Sequence, residues 1–232
     1  LVCDFISHTD GVVDTDSLTS FIDAYQTKNV LMIGELWAVP IMLRLALVEN
    51  LRRLAQHSIM VADQRRVADK LIHEVLDQAK TQGTDLLLLL VGRVTASPSV
   101  LDYGAPHIMR HLRAAGGQAT LALQWLDQQL RERGIDPAES AQQEQEAQAQ
   151  DQISVGNCIT ALRTIGNLNW RDWIERVSHI DAVLRNDPAQ VYQASDFTSR
   201  DLLRHSIELL ARKTDFSEVD VAKHVLALAE AE

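Results

Sequence analysis

Residues 34–55 read GELWAVPIMLRLALVENLRRLA, an apolar run that passes into a basic, amphipathic tail. A bilayer-spanning helix needs about 20 mostly apolar residues. The apolar part, 36–48, is shorter than that and carries Pro40 and Arg44, so it predicts a buried helix and not a membrane span. Glu49 stands four residues before Arg53, the favourable order for an ion pair on a helix. Alone, the stretch describes the central helix of an all-α domain and names no reaction.

Working outward from it, the neighbouring segments carry the same signature. Leu18, Phe21, Ile22 and Tyr25 fall at i, i+3, i+4 and i+7, which predicts a helix over 17–28 behind the turn at 14–16. Pro40 lacks the N–H of an internal helical bond, so a kink or a start near Val39 is expected. Residues 61–82 continue the amphipathic pattern, either in the same helix with a bend or as its partner, and Gly83 is the expected stop. The six apolar residues 86–91 have the composition of a strand, but a Leu run among helices favours helix. Ser97 and Pro98 read as N-cap and first turn of a helix towards Arg113, before the break at Gly116 and Gly117. Leu121, Trp125, Leu126 and Leu130 predict a further face, closed by Gly134. Asp136, Pro137 and Glu139 then restart the chain with capping chemistry.

Residues 141–150, AQQEQEAQAQ, are polar on every side, and their Ala, Gln and Glu predict a solvated helix running into 151–165. Helices follow over 170–184, 198–211 and 217–229, with Asp187 and Pro188 as a cap between the first two. The expectation is an all-α fold, a multi-helix bundle or stacked helical hairpins without a sheet. It divides into helical subdomains at 1–135 and 151–232 about a polar helix or linker at 136–150, unless the helices form one continuous domain.

Composition narrows the function. The 22 Lys and Arg against 32 Asp and Glu give a net charge of −10, which argues against nucleic acid and anionic lipid as partners. Cys3 and Cys158 are the two cysteines and have no CxxC spacing, so neither a disulfide framework nor a zinc site is expected. The chain opens at Leu1, and Asp4, His8 and Asp10 are foreign to a secretory signal, so a fragment of a longer protein is expected.

Few residues carry chemistry. His107 and His111 have the i, i+4 spacing of two metal-binding imidazoles, but Ile108 stands where a metalloprotease carries its Glu. Asp10, Asp14 and Asp16 lack the spacing of a calcium loop and suit helix capping better. Arg44 is the odd residue. A guanidinium buried without a partner is costly, so an acid from another helix, Asp172 or Asp201, is expected beside it. With Glu49, Arg52 and Arg53 it would form a structural ion-pair framework. Trp170, Arg171, Asp172 and Trp173 form the most sugar-like cluster, because an indole stacks on a pyranose while Arg and Asp bond its hydroxyls. Indoles three apart on a helix nonetheless share one face, and a shared face is normally core.

Segment 34–55 closely resembles a segment of the cyclic β-1,2-glucan synthetases. A second block agrees in order and spacing: Ser154-Val155-Gly156-Asn157, Ile159-Thr160, Leu162-Arg163, Trp170-Arg171-Asp172, Asp187-Pro188, Tyr192, Asp196-Phe197-Thr198-Ser199-Arg200-Asp201 and Arg204-His205. Residues 81–150 match loosely, Leu203 replaces an expected aromatic, and Ser195 stands where Met is usual. The resemblance implies a large bacterial inner-membrane glucosyltransferase that uses UDP-glucose, with this chain as the helical region ahead of the transferase. It carries over no catalytic residue, cofactor or metal. Two roles follow. One is a non-catalytic scaffold or regulatory module at the cytoplasmic face of the inner membrane, packed on the transferase module or on a second copy. The alternative is a carbohydrate-binding module that holds β-1,2-glucan against Trp170, Arg171, Asp172, Trp173 and Tyr192, which requires solvent-facing indoles. A catalytic helical toroid would need paired acids in an aromatic cleft, for which 5% aromatic residues are poor material.

Overall fold

A computed structural model describes residues 1–231, the side chains at 137, 138, 140, 141 and 144 aside. Among these residues the chain is all-α, with twelve α-helices and no strand. They form two compact units: Leu1–Asn50 with Gly156–Glu232, and Leu51–Val155. No helix among them is long and apolar enough to cross a membrane.

In the first unit, α1 (Val2–His8) leads through Gly11 into α2 (Thr15–Gln26), whose N-cap Asp14 accepts the N–H groups of Asp16 and Ser17. Of the three acids at 10, 14 and 16, Asp14 caps the helix. α3 (Ile33–Gln82) is one continuous helix, and its first part belongs to this unit. Pro40 lies inside it and does not mark its start, because Leu36, Val39, Leu43 and Leu47 bury one face around the lost hydrogen bond.

The second unit takes the rest of α3 together with α4 (Leu86–Ala96), α5 (Val100–Ala114), α6 (Thr120–Glu132) and the start of α7 (Pro137–Asn167). Its core is aliphatic. Ala68, Ile72 and Val75 of α3 pack with Leu90 and Val94 of α4, Ile108 and Leu112 of α5, and Leu126 and Leu130 of α6. The run at 86–91 is helical, capped by the Asp85 carboxylate on the Leu87 N–H. Ser97 does not open α5. Its N–H is spent on Arg93 and Val94 carbonyls closing α4, so α5 begins at Val100. On α6, Leu121 is exposed and Ala122 takes the buried position beside Leu126.

The chain returns to the first unit through α7. The stretch expected as one helix over 170–184 is two, α8 (Trp170–Val177) and α9 (His179–Leu184). Ser178 divides them: its backbone is extended and its hydroxyl accepts the Asp181 N–H, starting a fresh N-terminus. The short α10 (Val191–Ala194) is held by Asp187, whose carboxylate accepts from Ala189, Val191 and Tyr192. α11 (Phe197–Ala211) is capped by Asp196 and not by Thr198, and α12 (Glu218–Ala231) by Ser217 with Asp220. Ile33, Ile180, Leu184, Tyr192, Ile207, Val221 and Ala222 close the core among these helices.

Candidate functional site

The first unit places its chemistry on α8, α9, α11 and the start of α12. Arg200 and Arg204 lie one helical turn apart on α11, and both reach Glu175 of α8. Arg200 holds Glu175 in a two-pronged grip, Nε and Nη2 each 3.0 Å from a carboxylate oxygen, while Arg204 reaches the same group at 3.0 Å. Arg185 approaches it at 3.7 Å. Arg204, 1% exposed, also bonds the fully buried Asp181 at 3.1 Å and Asp201 at 3.2 Å. Tyr192 donates its hydroxyl to Asp181 at 2.5 Å. Burial pushes the Glu175 carboxyl up, but the hydrogen bonds and charges of Arg200 and Arg204 outweigh it and hold it below its ordinary range. Burial and the Asp181 bond both push the Tyr192 phenol up. A network this thoroughly paired ties α8, α9, α10 and α11 in register, and only the Arg204 Nε is left among buried side-chain atoms of the described residues without a partner. Arg185, Tyr192, Gln193 and Arg200 line a shallow hollow of about 250 Å³ beside it.

A larger cleft, about 500 Å³, opens between the start of α3, the end of α11 and the start of α12. Glu35, Glu208 and Glu218 line it with Arg212, Met32 and Phe216. Glu35 accepts the Met32 N–H and Glu218 the Ile33 N–H, both at 2.9 Å, so these acids cap the first turn of α3. Glu208 is paired with Arg212 at 2.6 Å. Burial raises the Glu218 carboxyl, the Ile33 bond lowers it, and the nearby charges of Glu208 and Glu35 raise it further. Sequence reasoning does not single out this acid group. Its signal is the i, i+4 spacing of Glu208 and Arg212 followed by an acid at the next helix start.

The expected sugar-binding residues do not come together as a groove. Trp173 is core, 2% exposed, with its Nε1 donating to Thr19 at 3.0 Å. Trp170 packs edge-on against it at 5.3 Å and donates to the Ile165 carbonyl. Tyr192 is buried in the ion network, while Arg171 lies 4.8 Å over the Phe197 ring and Asp172 accepts from Asn169. The indoles are consumed by packing because α8 buries its Trp173, Ile174 and Val177 face.

Arg44 is exposed, which corrects the expectation of a buried guanidinium facing Asp172 or Asp201. Those acids bond Asn169 and Arg204 instead. Arg52 donates to Gln56 at 2.6 Å, and Glu49, Arg52 and Arg53 are exposed on the same helix. His107 and His111 both turn onto Asp69 of α3, at 3.2 and 3.3 Å, and His73 packs on His111 at 4.6 Å. Among the described residues no group of three or more His, Cys, Asp or Glu side chains is arranged to hold a metal ion. Cys3 and Cys158 are free thiols.

No protein-family model matches the chain. Over 226 residues, 97% of its length, it is 31% identical to the cyclic β-(1,2)-glucan synthase NdvB of Rhizobium meliloti (strain 1021). It spans 8% of that protein's length. The resemblance read from segment 34–55 and the second block therefore holds along nearly the whole chain, which is similar to a short stretch of a cyclic β-(1,2)-glucan synthase.

Proposed function

We propose that this chain is a helical region of a bacterial cyclic β-1,2-glucan synthetase, the membrane glucosyltransferase that uses UDP-glucose. In this reading it serves at the cytoplasmic face of the inner membrane as a non-catalytic scaffold or regulatory module for the transferase. The likeness to the Rhizobium protein supports the parentage. The observation that carries the scaffold role is the open side of α3. Ile41, Met42, Leu45 and Val48 are 45–59% exposed, at spacings that set them on one helix face. A face of this kind is a common mark of a protein–protein contact. The transferase module of the same chain is the proposed partner, and the burial of Trp173 and Tyr192 leaves a glucan-holding role without its stacking surface.

The test uses the full-length synthetase in membranes supplied with UDP-glucose. Ile41→Glu with Leu45→Glu is expected to leave the fold of this region intact and to lower cyclic glucan output. Unchanged output from a folded double variant would sink the scaffold role. Saturable binding of linear β-1,2-gluco-oligosaccharides to this region, measured by calorimetry, would move the assignment to a glucan-holding module.

A further inference from the structure

We propose that the hollow lined by Arg185, Tyr192, Gln193 and Arg200 binds a phosphate group, free or as a terminal monoester, through the guanidiniums of Arg185 and Arg200. The inference goes beyond the role proposed above and does not rest on the parentage.

Three observations converge on this ligand chemistry. First, the hollow is cationic in a chain of net charge −10: two guanidiniums, an amide and a phenol line it, and among the described residues no carboxylate does. The acids of the adjoining network are engaged elsewhere. Glu175 accepts from Arg200 and Arg204, the fully buried Asp181 from Arg204 and Tyr192, and Asp201 from Arg204. Asp187 and Asp196 accept backbone N–H groups at the starts of α10 and α11. Second, donors outnumber acceptors. Arg200 commits three of its five N–H groups, two to Glu175 and one to the Ser195 carbonyl. The Arg185 guanidinium makes no hydrogen bond among the described residues and approaches one acid, Glu175, at 3.7 Å. The shortage of acceptors extends into the network itself, where Arg204, 1% exposed, keeps an Nε–H without a partner. Third, the two cations at the hollow are accessible to a ligand in different degrees. Arg200 is 20% exposed and fixed by its bonds, so it is ordered before a ligand arrives, while Arg185, 49% exposed, has room to turn onto one.

Competing occupants each leave one of these features unmet. A cation is repelled by the two guanidiniums, and an apolar ligand leaves their N–H groups without acceptors. A neutral sugar accepts hydrogen bonds but brings no charge to the cations. A carboxylate offers two oxygens and a single charge to two guanidiniums. A phosphate monoester offers three acceptor oxygens and a charge of about −1.5 to −2 at neutral pH. Guanidinium and phosphate also match in geometry, because the planar fork of N–H groups meets two oxygens at once in charge-assisted hydrogen bonds.

The experiment is a ¹H–¹⁵N titration of the intact chain with inorganic phosphate at constant ionic strength. Glycerol 3-phosphate, acetate and a linear β-1,2-gluco-oligosaccharide are titrated in parallel. Saturable shifts centred on residues 185, 191–193 and 200, with the Arg185 and Arg200 Nε–H signals among them, are expected with both phosphates. The tighter of the two distinguishes a free ion from an ester as the source of the group. Repeated at rising salt, the titration should give falling affinity. Arg185→Gln should weaken binding by about tenfold or more. Arg185 is half-exposed and its one ion contact is long, so the fold survives the change. Arg176→Gln removes an exposed guanidinium of α8 from outside the hollow and should leave binding unaltered. The absence of saturable shifts, unaltered binding in Arg185→Gln, or an equal loss in Arg176→Gln would overturn the proposal. A response to acetate or to the oligosaccharide as strong as that to phosphate would overturn it as well.

Discussion

At Gly104 of α5 a Cβ would fall 2.4 Å from the Ala68 Cβ of α3, so the two helices touch backbone to side chain at this point. Gly104→Ala must part them and is expected to lower stability by about 1–3 kcal/mol, read as a reduced midpoint in urea. Gly92, inside α4 with nothing within 4 Å of its added Cβ, provides the contrast. Gly92→Ala should raise stability by up to about 1 kcal/mol, since the helix gains a better former at no steric cost. Gly11 is constrained twice over, by a φ of +75° and by the Cys158 sulfur 2.9 Å from an added Cβ, so Gly11→Ala is destabilising as well. At this scale the sequence is partly legible. Gly83, Gly116 and Gly134 end helices with positive φ, as their places after amphipathic runs predict. Gly104 gives no such sign, because a close helix crossing is a property of two segments and its partner Ala68 lies far away along the chain. Arg44 misleads for a related reason. An apolar run with no polar side does not say which of its faces is covered.

The helix α3 carries that ambiguity at the scale of an element. Leu36, Leu43 and Leu47 are fully buried, while Ile41, Leu45 and Val48 from the same run are exposed. Leu43→Ala or Leu47→Ala should lower stability by about 2–5 kcal/mol. Leu45→Glu should change it by no more than about 0.5 kcal/mol, as at an ordinary surface position. Thermal unfolding of the three variants checks the assignment of faces, and a large loss in Leu45→Glu would mean that the open face is packed in solution. Element boundaries are legible where side-chain caps declare them, at Asp14 and Ser217. They are hidden where the decisive group is backbone. Ser97 looks like an N-cap but closes α4, and the break at Ser178 falls inside a run whose apolar periodicity continues on either side of it. The burial of Trp173 with Trp170 packed against it is within reach of the sequence, since residues three apart share a face and α8 offers no second apolar face to the core.

Over the whole molecule the charge balance predicts how stability follows pH, through two buried glutamates that act in opposite senses. Neither pairing is visible in the sequence: Glu175 meets Arg200 and Arg204 from another helix, and Glu218 meets the start of α3 from 185 residues away. Glu175 is held below its ordinary value of 4.5, so the folded chain binds this proton less readily than the unfolded chain. Its contribution is therefore present above 4.5 and is lost as pH falls from there through the folded value. Glu218 is raised above 4.5, so its contribution is present below that value and is lost as pH rises through the folded one. Glu175→Gln strands Arg204 in the core without its full complement of carboxylates and should lower stability at neutral pH by about 3–5 kcal/mol. The same variant should also lose less on acidification than the unaltered chain, because the group that titrates is gone. Glu218→Gln should flatten the opposite side, removing the decline above 4.5. Urea midpoints of the three proteins between about pH 3 and about pH 7 separate the two contributions. Parallel acid-side curves for the unaltered chain and Glu175→Gln would place the acid sensitivity in other carboxylates and leave the Glu175 network a purely structural clamp.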